Sequence, residues 1–90
     1  MANRVVYKYP LDITDRQSVC LPLGAQILSI QAQNNTLMLW AMVDPDQVAQ
    51  SVVLQILGTG NPAQVSHRAK HIETVQMPTG LVWHIFKEVS

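Results

Sequence analysis

Residues 26–44, QILSIQAQNNTLMLWAMVD, form two segments of alternating apolar residues joined at Asn34-Asn35. Asparagine tolerates the positive φ that a two-residue type I′ turn imposes, so the stretch predicts an antiparallel hairpin with strands over 26–33 and 36–44. In the second strand Leu37, Leu39, Ala41 and Val43 make one apolar face, and Met38, Trp40 and Met42 make the other. A strand that is apolar on both sides asks to be covered on both sides. One face is therefore expected to meet the core, and the other a helix, a second sheet or another subunit.

Working outward, period-two alternation continues. NRVVYKYPL carries Val5, Tyr7 and Tyr9 on one face and Arg4, Val6 and Lys8 on the other, with Pro10 ending the strand or holding it to a sheet edge. DITDRQ reads as a polar turn, SVCLPL as a short strand stopped by Pro22, and DPDQ as a turn or short helical start capped by Asp44 or Asp46. SVVLQILGT, KHIETVQM and LVWHIFKEV supply further strands, the last two joined at Pro78-Thr79-Gly80. In the last, Leu81, Trp83 and Ile85 alternate with Val82, His84 and Phe86, again apolar on both sides. The one candidate helix is a turn or two between Pro62 and His67. The expected fold is all-β: a small antiparallel sandwich or barrel of about six to seven strands, with at most one short helix. The 90 residues make a single domain spanning 1–90.

Composition narrows the function classes. Charged residues are 13% of the chain, about half the usual share of about 25%. So few charges on a small domain predict that another subunit covers part of its surface, which makes a homo-oligomer the expected state. Six Lys and Arg balance six Asp and Glu, leaving no general electrostatic pull toward DNA, RNA or an anionic membrane. Cys20 has no disulfide or zinc partner and is expected as a small buried hydrophobe. The sequence shows no signal-like or membrane-spanning apolar run, so a cytoplasmic location is expected.

Conventional catalytic signatures are absent: no GxSxG, HExxH, Walker or paired zinc-cysteine motif occurs. No catalytic residue, metal or cofactor is expected. His67, His71 and His84 would make a metal site only if the fold gathered them. The stretch Gly58–His71, GTGNPAQVSHRAKH, has two readings. It is either a glycine turn followed by a solvated loop, or an anion-binding segment. In the second, the Gly58, Thr59 and Gly60 backbone approaches a ligand closely while His67, Arg68 and Lys70 supply donors. Aromatic rings favour the second, since a base stacked on a ring is worth roughly 1–3 kcal/mol. Trp40, Trp83, Tyr7 and Tyr9 are the candidate platforms, although each tryptophan also suits a core. Arg4, Arg68 and Lys70 are the candidate phosphate contacts.

The segments YKYPL, LPLGAQIL, LWAMVD, GTGNP and TVQMPTGLVWHIF together resemble a family of small proteins of unknown function from tailed bacteriophages and prophages. The likeness spans nearly the whole chain. It implies a phage-encoded protein acting in the infected host cell. It also implies a binding role of the kind played by proteins that sequester cyclic-oligonucleotide or cyclic ADP-ribose signals of bacterial defence. Such a role needs enclosure of a small nucleotide and no catalytic groups. Two other readings stay open: a module that binds and inhibits a host protein through a strand edge or apolar face, and a cyclic-nucleotide hydrolase built on the histidines with an acid.

Overall fold

A computed structural model describes residues 3–62 and 64–89. It contains strands β1 (Val5–Leu11), β2 (Arg16–Pro22), β3 (Gln26–Gln33), β4 (Thr36–Val43), β5 (Ala49–Gly58), β6 (Lys70–Gln76) and β7 (Val82–Lys87). They form an antiparallel three-stranded sheet of order β1-β4-β3 and an antiparallel four-stranded sheet of order β2-β5-β7-β6. The all-β sandwich expected from the sequence is the fold. The described residues include no helix, and hence none long and apolar enough to cross a membrane.

The β3–β4 hairpin forms with Gln33 opposite Thr36, but of the two turn residues only Asn34 takes a positive φ, 58°, so the turn is not the expected type I′, which needs positive φ at both. Pro10 lies within β1 opposite Met38, where β1 has only β4 as a neighbour. An edge strand tolerates the missing N–H there. Other boundaries differ from expectation. DITDRQ is a turn only as far as Asp15, because Arg16 and Gln17 already pair with Gln55 and Leu54. The DPDQ segment is a turn closed by the Asp44 carboxylate, which accepts the Asp46 N–H at 3.0 Å.

The residues described between Pro62 and His67 take no helical turn. Instead the Ala69 N–H donates to the Ser66 carbonyl at 3.0 Å and the Arg68 N–H to Ser66 Oγ at 3.1 Å. A nucleus this short gains too few bonds to offset its ordering, and here a serine turn competes for them. Ala63, inside that span, lies outside the described residues.

Alternation decides what is buried. Leu37, Leu39, Ala41 and Val43 are each 0% exposed and join Val52, Leu54 and Ile56 of β5 and Ile85 of β7 in one core. The other face of β4 carries half-buried Met38, Trp40 and Met42, beside Pro10, Lys8 and Val6 of β1. A bulge between Ile27 and Ser29 leaves Leu28 46% exposed. Cys20 is exposed rather than buried, because its neighbours Val19 and Leu21 occupy the inward positions of β2.

The geometry that matters for a site is the stagger of β5. Residues 49–55 of this ten-residue strand pair with β2, whereas 54–58 pair with β7. Each end of β5 therefore lacks one strand neighbour.

Replacing Leu39 by Ala should lower stability by about 2–5 kcal/mol in urea titrations, and replacing Met38 by Ala by about 1 kcal/mol or less. Equal losses at the two positions would show that the outer face of β4 is as well covered in solution as the inner one.

Candidate ligand clefts around Trp83

The clefts begin where β2 ends. The Ile56 N–H donates to the Asp15 carbonyl at 3.1 Å, beyond which β5 has no strand neighbour on that side among the described residues. The chain then turns at Gly58-Thr59-Gly60-Asn61, closed by the Asn61 N–H on the Gly58 carbonyl at 3.1 Å with Gly60 at φ 87°. Beside this open end lies a cleft of about 490 Å³, lined by Arg16, Gln55, Gly58, Asn61, Gln64 and Trp83 among others. A second cleft of about 480 Å³ shares Gly58, Asn61 and Trp83 and adds Thr59, Gly80 and Leu81. Both volumes suit small ligands, whose sites are roughly 300–1,000 Å³.

Glycine at 58 lets two side chains approach the strand closely. A Cβ there would lie 2.8 Å from Asn61 Nδ2 and 3.2 Å from Trp83 Cζ3. Without it, the indole and the Asn61 amide close over the strand, and Trp83 becomes a wall of both clefts.

Among the described residues two buried polar atoms lack hydrogen-bond partners, Trp83 Nε1 and Gln55 Oε1, and both residues line the first cleft. One is a donor and the other an acceptor. An unpaired buried polar group costs about 1–3 kcal/mol, which a partner carrying the complementary group recovers. At the same cleft Arg16 holds Glu88 in a two-point contact, Nε to Oε2 at 2.6 Å and a terminal guanidinium nitrogen to Oε1 at 3.0 Å. The hydrogen bonds from Arg16 hold the Glu88 carboxyl below the ordinary glutamate value, with desolvation opposing and the Arg16 charge adding. The same contact raises Arg16. This exposed pair is screened by salt and contributes little to stability, but it fixes the direction of the guanidinium.

On the outward face of the same sheet a chain of side-chain hydrogen bonds crosses three elements. Thr59 Oγ1 lies 2.7 Å from His84 Nε2, His84 Nδ1 lies 3.1 Å from Thr74 Oγ1, and Thr74 Oγ1 lies 2.9 Å from His71 Nε2. His71 packs edge-on against Phe86, with ring centroids 5.3 Å apart. The register explains the assembly, since His84 stands opposite both Leu57 and Thr74, and Phe86 opposite His71.

A family model described as Domain of unknown function (DUF7352) matches residues 2–90. The chain belongs to this family. No curated protein and no solved structure matches it.

In this DUF7352 domain the residues singled out by sequence fall into separate groups. Gly58, Thr59, Gly60 and Trp83 come together at the clefts. His67 and Arg68 occupy an exposed turn before β6, and Lys70 opens β6 opposite Lys87; none of them lines either cleft. Arg4, Tyr7, Tyr9 and Trp40 belong to the other sheet, on or just before β1 and on β4. Tyr7 and Tyr9 pair with Ala41 and Leu39 and so share the core side, while Trp40 faces outward. Tyr9 packs against the core, and burial, with a smaller contribution from Tyr7, raises its phenol above the ordinary value. His71 and His84 meet without His67, and the described residues hold no group of three or more His, Cys, Asp or Glu able to bind a metal.

Sequence reasoning missed Arg16, Gln55, Asn61 and Gln64, and the Thr59–His84–Thr74–His71 chain. Alternation around His84 supplied a partial signal by placing it opposite to Trp83 and Ile85. Which threonines meet it depends on the β6–β7 register.

Two outcomes follow for the DUF7352 domain. Gly58→Ala, in a Trp40→Phe background, should shift the emission of Trp83 by displacing the ring or Asn61. Followed by carboxyl NMR, Glu88 should titrate below an ordinary glutamate, and Arg16→Gln should return it upward. Any stability linked to that shift is present above the unfolded-state value and lost as pH falls through the lowered folded one.

Proposed function

We propose that this DUF7352 domain is a binding protein that captures a small nucleotide in the clefts around Trp83 and sequesters it without turning it over. The observation that carries the reading is the cleft pair itself. An indole wall stands beside a backbone stripped of its side chain at Gly58, with a buried donor on Trp83 and a buried acceptor on Gln55 left unpaired. Such a site offers a ring for stacking, the exposed amides of Asn61 and Gln64 for a base edge, and Arg16 for a phosphate. The phage-like sequence pattern supports a signal of host defence, of the cyclic-oligonucleotide or cyclic ADP-ribose type, as the ligand. In this reading the protein acts in the cytoplasm of the infected cell as a homo-oligomer. Arg16 takes the phosphate-binding role that the sequence suggested for Arg68, Lys70 and Arg4.

A second reading has its own observation. The outer face of the β1-β4-β3 sheet presents Val6, Pro10, Met38, Trp40 and Met42, with Lys8 drawn aside to Gln33 Oε1 at 2.8 Å. That face favours a protein-interaction module.

Calorimetry against a panel of linear and cyclic nucleotides, with native mass spectrometry of protein from a defence-active host, separates the two. Nucleotide sequestration predicts an intact ligand released on heating. Trp83→Ala should weaken binding by about 1–3 kcal/mol and Arg16→Ala by about 1.5–3 kcal/mol, with Arg68→Ala having less effect than either. An empty protein indifferent to the panel would overturn the reading in favour of the protein partner.

A further inference from the structure

We propose that Thr59 is an activated hydroxyl, a site of covalent acylation by donors with good leaving groups such as aryl esters, thioesters or acyl phosphates. This goes beyond ligand capture and does not depend on the nucleotide reading. The arrangement is the one expected of an activated nucleophile: a hydroxyl within hydrogen-bond reach of a base, and the base oriented by a third group. Thr59 is exposed and lines the smaller cleft, with Oγ1 at 2.7 Å from His84 Nε2. His84 is half-buried on β7, and its other nitrogen lies 3.1 Å from Thr74 Oγ1.

The proton inventory favours this role. When the Thr59 O–H donates to His84 Nε2, the His84 Nδ1–H donates to Thr74 Oγ1, and the Thr74 O–H donates to His71 Nε2 at 2.9 Å. Every hydroxyl proton and inward-facing ring nitrogen in the chain then has a partner. On attack, Thr59 Oγ1 forms a bond to the acyl carbon and its proton passes to Nε2. The bond from that carbon to the leaving group breaks, and the leaving group departs with the electron pair. His84, now an imidazolium, keeps its Nδ1–H bond to Thr74, and Thr74 keeps its bond to His71. The base therefore takes up charge without breaking a hydrogen bond elsewhere in the chain. The edge-on contact of His71 with Phe86 at 5.3 Å braces the far end. The acid generated in the step is the His84 imidazolium itself, and a donor that releases a stable anion does not depend on it.

Groups facing His84 are Leu57 from β5, Thr59 from the turn, Thr74 and His71 from β6, and Val82 and Phe86 along its own strand. Among these only His71 is itself an ionisable side chain. His84 is the base and Thr74 a positioning residue.

The test is incubation with p-nitrophenyl acetate. The expected result is a burst of p-nitrophenolate stoichiometric with protein and one acetyl group mapped to Thr59. The rate should rise with pH, as expected of a general base. Thr59→Val should abolish the adduct while Thr59→Ser keeps it, and His84→Gln should slow it by about 10²–10⁴-fold. Thr74→Val should slow it and alter the pH profile, with Thr74→Ser restoring both; unchanged thermal melts in the serine variants separate chemistry from misfolding. Absence of a burst, acetyl mapped to a lysine or histidine instead, or equal labelling of Thr59→Val would overturn the proposal.

Discussion

Burial of one face of β4 is the constraint from which the rest of the molecule follows. Leu37, Leu39, Ala41 and Val43 are wholly inaccessible, and they lie on the central strand of their sheet, so they need a second apolar layer across the full length of β4. That layer is supplied by alternate residues of β5 and β7, Val52, Leu54, Ile56 and Ile85. Once those positions face inward, the residues between them have no choice of side. Gln55 and Leu57 on β5, and His84 and Phe86 on β7, are turned outward together. The polar chain on the outer surface is thus the reverse side of the same alternation that builds the core.

The fold was legible because its signals are local. Asn34-Asn35 fixes the hairpin, and period-two patterning names every strand to within a few residues. Pro10 marks an edge. The candidate site was legible only in part, for a definable reason. Gly58 and Trp83 announce themselves by residue type, and so did Thr59 and Gly60 by adjacency. Arg16 and Gln55 do not, because a single arginine at the start of a strand and a glutamine within one look like ordinary surface residues. What gives them a role is where β2 stops relative to β5, a long-range register that no local spacing encodes. Arg68 and Lys70 are the opposite case: charge and nearness in sequence to the glycine turn made them conspicuous, yet they line neither cleft.

The stagger of β5 is also what creates space in so small a domain. A strand with neighbours along its whole length on both sides leaves no opening within its sheet, whereas β5 is partnered on opposite sides at its two ends. Into one opening the structure places the GTGN turn. Gly58 is the hinge of that arrangement, since any side chain would compete with Asn61 and Trp83 for the same volume. The cost is visible in Trp83 Nε1 and Gln55 Oε1, two buried polar atoms left without partners. Core residues of this fold face no such conflict, because their neighbours are apolar.

The two outward faces of the sandwich differ in a way that bears on assembly. The outer side of the β2-β5-β7-β6 sheet carries the Arg16–Glu88 contact and the threonine–histidine chain, where burial against another subunit would have to desolvate charged and hydrogen-bonded groups. The outer side of the β1-β4-β3 sheet centres on Met38, Trp40 and Met42, where burial removes apolar area from water at about 25 cal/mol per Å². Apolar contact therefore has more to gain on the second face, which also carries the Lys8–Gln33 and Gln31–Ser29 hydrogen bonds, than on the first. The clefts around Trp83 are built from the sheet that carries the first face, so an oligomer joined through Trp40 would leave them open to solvent. The apolar surface that a charge-poor sequence leaves exposed and the polar surface that could act on a small molecule then occupy different sheets. In the proposed reading, assembly and ligand capture would make separable demands on this chain.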